Sequence, residues 1–155
     1  LRAVITGATA AYRDIAGSRQ IVCEVPKEPV VLFGAPELIH QALDKLVDNA
    51  LSFTAEGGQI TIALRHAEGA INLDVINPGP RLPEKMRGRL FDSLVSMRDG
   101  KAGSPHLGLG LYIVRLIAEL HSGYAKAQDL ADESGVVVTL HLVGIRAVGK
   151  NVASL

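Results

Sequence analysis

The stretch Pro36-Glu37-Leu38-Ile39-His40-Gln41-Ala42-Leu43-Asp44-Lys45-Leu46-Val47-Asp48-Asn49-Ala50-Leu51-Ser52-Phe53 is the longest regularly patterned segment of the chain. Ile39, Leu43, Leu46, Val47 and Ala50 recur at three- and four-residue spacings, which places them on one face of a long helix. Pro36 stands where a first helical turn tolerates a residue without an N–H, and Gly57-Gly58 ends the segment. The other side presents Gln41, Asp44, Lys45, Asp48, Asn49 and Ser52, which taken alone is an ordinary solvated face.

Working outward from this helix, Gln59 to His66 and Ala70 to Ile76 alternate and are split by Glu68-Gly69, the pattern of a hairpin. Leu109 to His121 is a second helix, with Ile113, Leu116, Ile117 and Leu120 on one side and Gly123 as its stop. Strands over Tyr124 to Asp129 and Gly135 to Val143 follow. Upstream, Val4, Ile5, Ala8, Ala11, Tyr12 and Ile15 make a helical stripe over Leu1 to Ala16. Gln20 to Val25 and Pro29 to Phe33 read as two strands around a Pro-Lys-Glu-Pro turn. Hairpins with helices between them predict an α+β two-layer sandwich, a mixed and mostly antiparallel sheet with helices on one face.

Between Asn77 and Pro105 the pattern dissolves into Pro, Gly and charge, with one short helix expected from Glu84 to Leu94. A segment this long without regular structure is usually a functional lid or a disordered loop. From Pro80 to His106 it holds Arg81, Lys85, Arg87, Arg89, Arg98 and Lys101 against Glu84, Asp92 and Asp99, a local surplus of three positive charges.

That surplus sits in a neutral chain. The 16 basic and 16 acidic residues of the 155 cancel, so no bulk field draws the chain to nucleic acid or an anionic membrane. Aromatics are 4%, with no Trp, too few for a platform that stacks successive bases. Nucleic acid is therefore not expected as a partner, and any polyanion must be recognised locally. Apolar residues at 48% and charged residues at 21% are the profile of a folded domain with a real core. Cys23, the single cysteine, excludes an internal disulfide and fits a reducing compartment. No transmembrane stretch is present, because the longest apolar runs are short or broken by Arg115 and Glu119. The chain opens on Leu1, which leads us to expect a segment of a longer protein.

Three further elements carry possible chemistry. Leu107-Gly108-Leu109-Gly110-Leu111 opens a helix, where free N–H groups and the helix dipole favour an anion such as phosphate. A glycine pair there equally serves close packing or a helix cap. Asn77-Pro78-Gly79-Pro80 follows a strand and alone is only a turn. The order and spacing of these pieces are more informative than any one of them.

In that order the chain resembles the catalytic ATP-binding domain of sensor histidine kinases, in the superfamily that also holds gyrase B, Hsp90 and MutL. Lys45 to Thr54 is similar to the family's N box. Val75 to Pro83 is similar to its first glycine box, and Arg89-Leu90-Phe91-Asp92-Ser93-Leu94 to its F box. His106 to Leu111, running into Tyr112-Ile113-Val114, is similar to the second glycine box. The resemblance spans Pro36 to Val143 and implies a Bergerat-type fold with a catalytic domain over 17–143, a lid over 80–106 and a tail over 144–155.

By resemblance, Asn49 would coordinate the Mg²⁺ that bridges the phosphates of ATP; a hard cation needs only one or two protein oxygens beside phosphate and water. Phe53 would lie against the adenine, Asn77 would accept a hydrogen bond from its amino group, and Gly79 and Leu82 would line the base site. Leu107, Gly108, Leu109, Gly110 and Leu111 would offer backbone N–H groups to the phosphates, while Arg98 and His106 would supply lid cations. The implied activity is transfer of the γ-phosphoryl group to a histidine on a dimerisation and phosphoacceptor domain, expected ahead of Leu1. A response regulator would be the further partner, a homodimer the full-length state, and an inner-membrane sensor with this domain in the cytoplasm the setting.

Several residues depart from the family pattern. Lys45 stands where gyrase-like ATPases carry a water-activating Glu and kinases an Asn or His; an ammonium has no lone pair for base or metal chemistry. Ser52 replaces the family's common Lys. Residues seven apart share a helix face, so Lys45 is expected to supply the phosphate-neutralising charge that position 52 lacks. Asn77 replaces an Asp and keeps an acceptor without the charge, Arg81 replaces the second glycine of its box, and Val136 stands near a frequent Thr. None of His40, His66, His121 or His141 sits in a phosphoacceptor motif, and structural or exposed roles are expected for them. These departures leave two alternatives open: a degenerate nucleotide-binding signalling module, or an anti-sigma-factor-type serine kinase.

Overall fold

The computed structural model describes residues 1–92 and 109–144. Helix α1 (Arg2–Ile15) leads into strand β1 (Gln20–Glu24), helix α2 (Pro36–Phe53) and the hairpin of β2 (Gln59–Ala67) and β3 (Ala70–Pro78). A single 3-10 turn (Glu84–Met86), helix α3 (Gly110–Leu120) and the hairpin of β4 (Tyr124–Asp129) and β5 (Gly135–Leu142) follow. The five strands form one sheet in the order β1-β2-β3-β5-β4. Only β1 with β2 is parallel; the other pairings are antiparallel. The mixed two-layer sandwich read from the sequence is the observed one.

Period-2 alternation decides which face of the sheet is covered. Ile60, Ile62 and Leu64 of β2 point the same way as Ile71, Leu73 and Val75 of β3 and as Val136, Val138, Leu140 and Leu142 of β5, and all are buried. They join one core with Leu43, Leu46 and Val47 of α2, Val114 and Ile117 of α3, and Ile5 and Ala8 of α1. The opposite face carries Arg65, Asn72, Asp74, Thr139 and His141, with Arg65 Nε 3.4 Å from Asp74 and His141 Nδ1 2.7 Å from Asn72 Oδ1.

Two elements differ from the sequence reading. Pro29–Phe33 joins no strand. Val30 is buried while Val31 and Phe33 are exposed, so the alternation records burial, and the Val30 carbonyl accepts from the Leu1 amino group at 3.2 Å instead of from a ladder partner. The expected helix from Glu84 is only the one 3-10 turn; Arg89 N–H donates to Met86 and Asp92 N–H to Arg89, three residues back. Gly88 favours no continuation, and the Arg87 side chain is drawn to β4. The rest of the expected lid, from 93 to 106, and the tail beyond 144 lie outside the described residues.

His121 ties α3 to the core. It is fully buried, its Nε2 accepts from the Ala35 N–H at 3.1 Å, and its Nδ1 lies 2.7 Å from the Ile117 carbonyl. An Nδ1–H tautomer satisfies both bonds, which makes this histidine structural.

Candidate functional site

A cleft with about 430 Å³ of empty space opens where α2, the end of β3 and the start of α3 meet. From α2 come Asn49 and Phe53, four residues apart and therefore stacked on one face. From the end of β3 and beyond come Asn77, Gly79, Pro80, Leu82 and Leu90. Leu111 of α3 and Ala127, Val136 and Val138 of the β4–β5 hairpin complete it. The walls are apolar, and the polar side chains are two carboxamides, Asn49 and Asn77. A mostly apolar slot with a few placed polar groups is the usual form of a small-molecule site.

Asn77 is 6% exposed, and its Nδ2 donates to the Pro78 carbonyl at 2.9 Å. That bond commits the amide's donor side and leaves Oδ1 as the acceptor the cleft can use. Gly79 brings the strand end close to α2: a Cβ there would meet the Phe53 carbonyl at 3.4 Å. Beside the cleft, Lys45 is half-buried one turn before Asn49. Its Cδ lies 3.8 Å from where a Gly110 Cβ would stand, so its stem runs along the first turn of α3. Among the described residues that turn has no acidic residue and no capping side chain, and its first N–H groups have no intrahelical acceptor.

The neighbouring groups are otherwise engaged. Ser52 Oγ donates to the Asp48 carbonyl at 2.8 Å, on its own helix. Asp44 accepts from the Tyr12 hydroxyl at 2.5 Å and lies 3.8 Å from His40. Burial, with the Asp44 hydrogen bond and charge behind it, pushes the Tyr12 phenol above its ordinary range. Arg81 pairs with Glu133. Among the described residues no ion pair is formed by Lys45.

Of the residues expected at the site, Asn49, Phe53, Asn77, Gly79, Leu82 and Leu111 line one cleft, and Lys45 and Gly110 flank it. Leu109 is the residue at the start of α3, outside the cleft lining. Arg98, His106, Leu107 and Gly108 lie outside the described residues. Sequence reasoning missed Pro80, Leu90, Ala127, Val136 and Val138 as walls; Pro80 and Leu90 lie within recognised motifs, whereas Ala127 and Val138 carry no local signal.

The family of histidine kinase-, DNA gyrase B- and HSP90-like ATPases matches residues 34–144, which contain the whole cleft. The chain belongs to this ATPase family. Among similar proteins of the family, the adaptive-response sensory kinase SasA of Crocosphaera subtropica is 33% identical over 117 residues, 72% of this chain. The sensor protein DivL of Caulobacter vibrioides is 35% identical over 126 residues, 81% of this chain. The chain spans 30% of the first protein's length and 16% of the second's. The catalytic domain of histidine kinase ThkA superposes with a TM-score of 0.80 at 25% identity, covering 92% of this chain and 91% of that one. The mycobacterial sensor histidine kinase MprB shares the fold at a TM-score of 0.80 and 21% identity. No helix among the described residues is long and apolar enough to cross a membrane.

Proposed function

We propose that this ATPase-family chain is the ATP-binding catalytic domain of a two-component sensor histidine kinase, transferring the γ-phosphoryl group of ATP to a histidine on another domain. The observation that carries the reading is the polarity of the cleft from end to end. At one end a neutral acceptor, Asn77, sits among apolar walls suited to a purine; at the other, Asn49, Lys45 and the start of α3 face a region suited to phosphates. The sensor kinases among its relatives support the same assignment.

The donor set fits Mg²⁺ held chiefly by phosphate. Asn49 offers one carboxamide oxygen, and no group of three or more His, Cys, Asp or Glu able to hold a metal stands among the described residues. When bound, the ion would neutralise phosphate charge. The protein's own part is positioning: Phe53, Leu82 and Leu90 fix the base, Asn77 reads its amino group, and the Lys45 ammonium offsets charge at the phosphates. Phosphoryl transfer asks for little covalent work beyond this. The attacking nitrogen belongs to the partner's imidazole, and the bond from the γ-phosphorus to the bridging oxygen breaks to release ADP. Lys45 has no lone pair with which to activate water, so hydrolysis is disfavoured relative to transfer. The dimerisation and phosphoacceptor domain, a response regulator, a homodimeric full-length protein and an inner-membrane sensor are the partners and setting of this reading. His106 and Arg98 are assigned to the phosphates with Leu107, Gly108, Leu109 and Gly110.

A second reading, a degenerate signalling module, is favoured by Ser52 being spent on its own helix and by the missing charge at Asn77. Calorimetric titration with a non-hydrolysable ATP analogue and Mg²⁺ decides between the two. Micromolar binding supports the kinase, and absent binding sinks it while leaving the fold intact. The acid lability of the phosphoprotein formed by the full-length protein then separates a histidine acceptor from the serine of an anti-sigma-factor-type kinase.

A further inference from the structure

The wall of the cleft between Gly79 and Leu90 has no strand or helix to hold it, only one 3-10 turn. Pro78, Pro80 and Pro83 remove N–H groups that could have bonded to a neighbour. Leu82, 7% exposed, is the one buried residue between Gly79 and Leu90, and buried backbone N–H and C=O groups must find partners. Both partners come from side chains. The Leu82 N–H donates to Asp129 Oδ1 at 2.8 Å, and the Leu82 carbonyl accepts from Arg87 Nε at 3.4 Å. Arg87 and Asp129 close the ring, Nη2 to Oδ2 at 2.7 Å. Asp129 ends β4 with its side chain 17% exposed, against 51% for Arg87.

We infer that Asp129 is a positioning residue for the nucleotide cleft: with Arg87 it clasps Leu82 by both backbone groups and so sets the wall against which the base packs. The inference rests on the nucleotide-site reading and adds a control on affinity by two charges that do not line the cleft. Both bonds to Asp129 are charge-assisted, the stronger class, and come from residues 42 and 47 positions away in sequence. Two further links bind the same segment to the β4–β5 loop, Gly79 N–H to the Ser134 carbonyl at 3.3 Å and Arg81 to Glu133. The hairpin thus backs the wall, and Asp129 is the link that fixes the Leu82 backbone. Because the wall meets the base end, loosening it weakens every adenine ligand by one factor, whatever its phosphates.

The test compares adenosine and a non-hydrolysable Mg·ATP analogue by calorimetry on wild type, D129A, D129N and R87M, with amide hydrogen exchange at Leu82. D129A is expected to lose about tenfold in affinity for both ligands alike, the size of a lost hydrogen bond to a charged group. D129N, which still accepts the Leu82 N–H, recovers part of that loss, and R87M loses about threefold. Leu82 exchange accelerates in D129A while β3 and β5 amides do not, a pattern that general destabilisation does not give. Affinities of D129A within twofold of wild type overturn the clasp; if D129A fails to fold, the exposed R87M decides on the same criterion. A wild type that binds neither ligand overturns the site reading itself, and the clasp with it.

Discussion

Replacing Gly135 with alanine tests how tightly the end of β3 is held at the cleft. Gly135 opens β5 directly opposite Pro78. A Cβ built there would lie 2.2 Å from the Asn77 carbonyl oxygen, 2.8 Å from Pro78 Cα and 2.9 Å from the Asn77 carbonyl carbon. All three are backbone atoms, so no rotamer change relieves them. Ordinary contact lies near 3.4 Å, and the two strand ends must therefore separate by about 1.2 Å. Overpacking of this kind costs about 1–3 kcal/mol, or roughly 2–12 °C in midpoint for a chain of this size. Asn77 moves with the strand, and displacing its acceptor forfeits about 1 kcal/mol of hydrogen bonding, about fivefold in affinity for an adenine ligand. Thermal unfolding with and without the ATP analogue, plus calorimetry, reads both effects. Gly7→Ala, in α1 with nothing within 4 Å of its new Cβ, is the control and gains up to about 1 kcal/mol. A G135A protein that melts within about 1 °C of wild type and binds normally would refute this account of the strand end.

Four other outcomes follow from the same geometry. Lys45→Ala should weaken the ATP analogue about tenfold while leaving adenosine unchanged, by calorimetry; an ATP-analogue affinity equal to wild type removes Lys45 from the phosphates. Asn77→Asp turns a donor to the Pro78 carbonyl into a repelled carboxylate, so the ligand-free protein should lose about 1–2 kcal/mol, yet bind adenine more tightly through a charged acceptor; denaturant midpoints with and without ligand check both signs. His121→Ala should cost about 3 kcal/mol, since it leaves a void and strands the Ala35 N–H, and a loss below about 1 kcal/mol by urea unfolding contradicts that role. Tyr12 is held protonated in the folded state while the unfolded chain ionises near ~10; its contribution is complete below that pH and lost as pH rises above it, so Tyr12→Phe should flatten the alkaline limb of the stability curve.

What the sequence made legible divides along a physical line. Helix α2 and the β2–β3 hairpin have distinct periods, 3.6 and 2, each sustained over enough residues to exclude the other. Pro29–Phe33 has the strand period too, but alternation reports which side chains are buried and not whether a backbone partner exists. The segment from Glu84 has helix-forming residues, yet the Arg87 bond to Asp129, 42 residues away, outweighs local propensity. The same limit governs the site. Asn49, Phe53, Asn77 and Gly79 were found through motifs in a fixed order, each local in sequence. Ala127, Val138 and Asp129 matter only because β5 pairs with β3 on one edge and β4 on the other, a register no local pattern encodes.

The neutrality of the whole chain and the make-up of the cleft are linked. In the described residues the base end is built from apolar side chains and one neutral carboxamide, Asn77, so its affinity for a purine owes little to charge. Charge enters at two other places. The Lys45 stem runs along the start of α3, and a lysine charge beside a helix N-terminus is favoured only with an anion between them. Asp129 and Arg87 lie behind the wall, where opposite charges cancel and act only through the Leu82 backbone. Salt therefore separates the two: a partly exposed cation facing phosphate is screened over about 8 Å at physiological ionic strength, whereas the hydrogen-bonded pair behind the wall is screened much less. Raising ionic strength should weaken the ATP analogue while leaving adenosine nearly constant, and Lys45→Ala should remove most of that salt dependence. A salt response equal for both ligands would instead place the controlling charges at the wall.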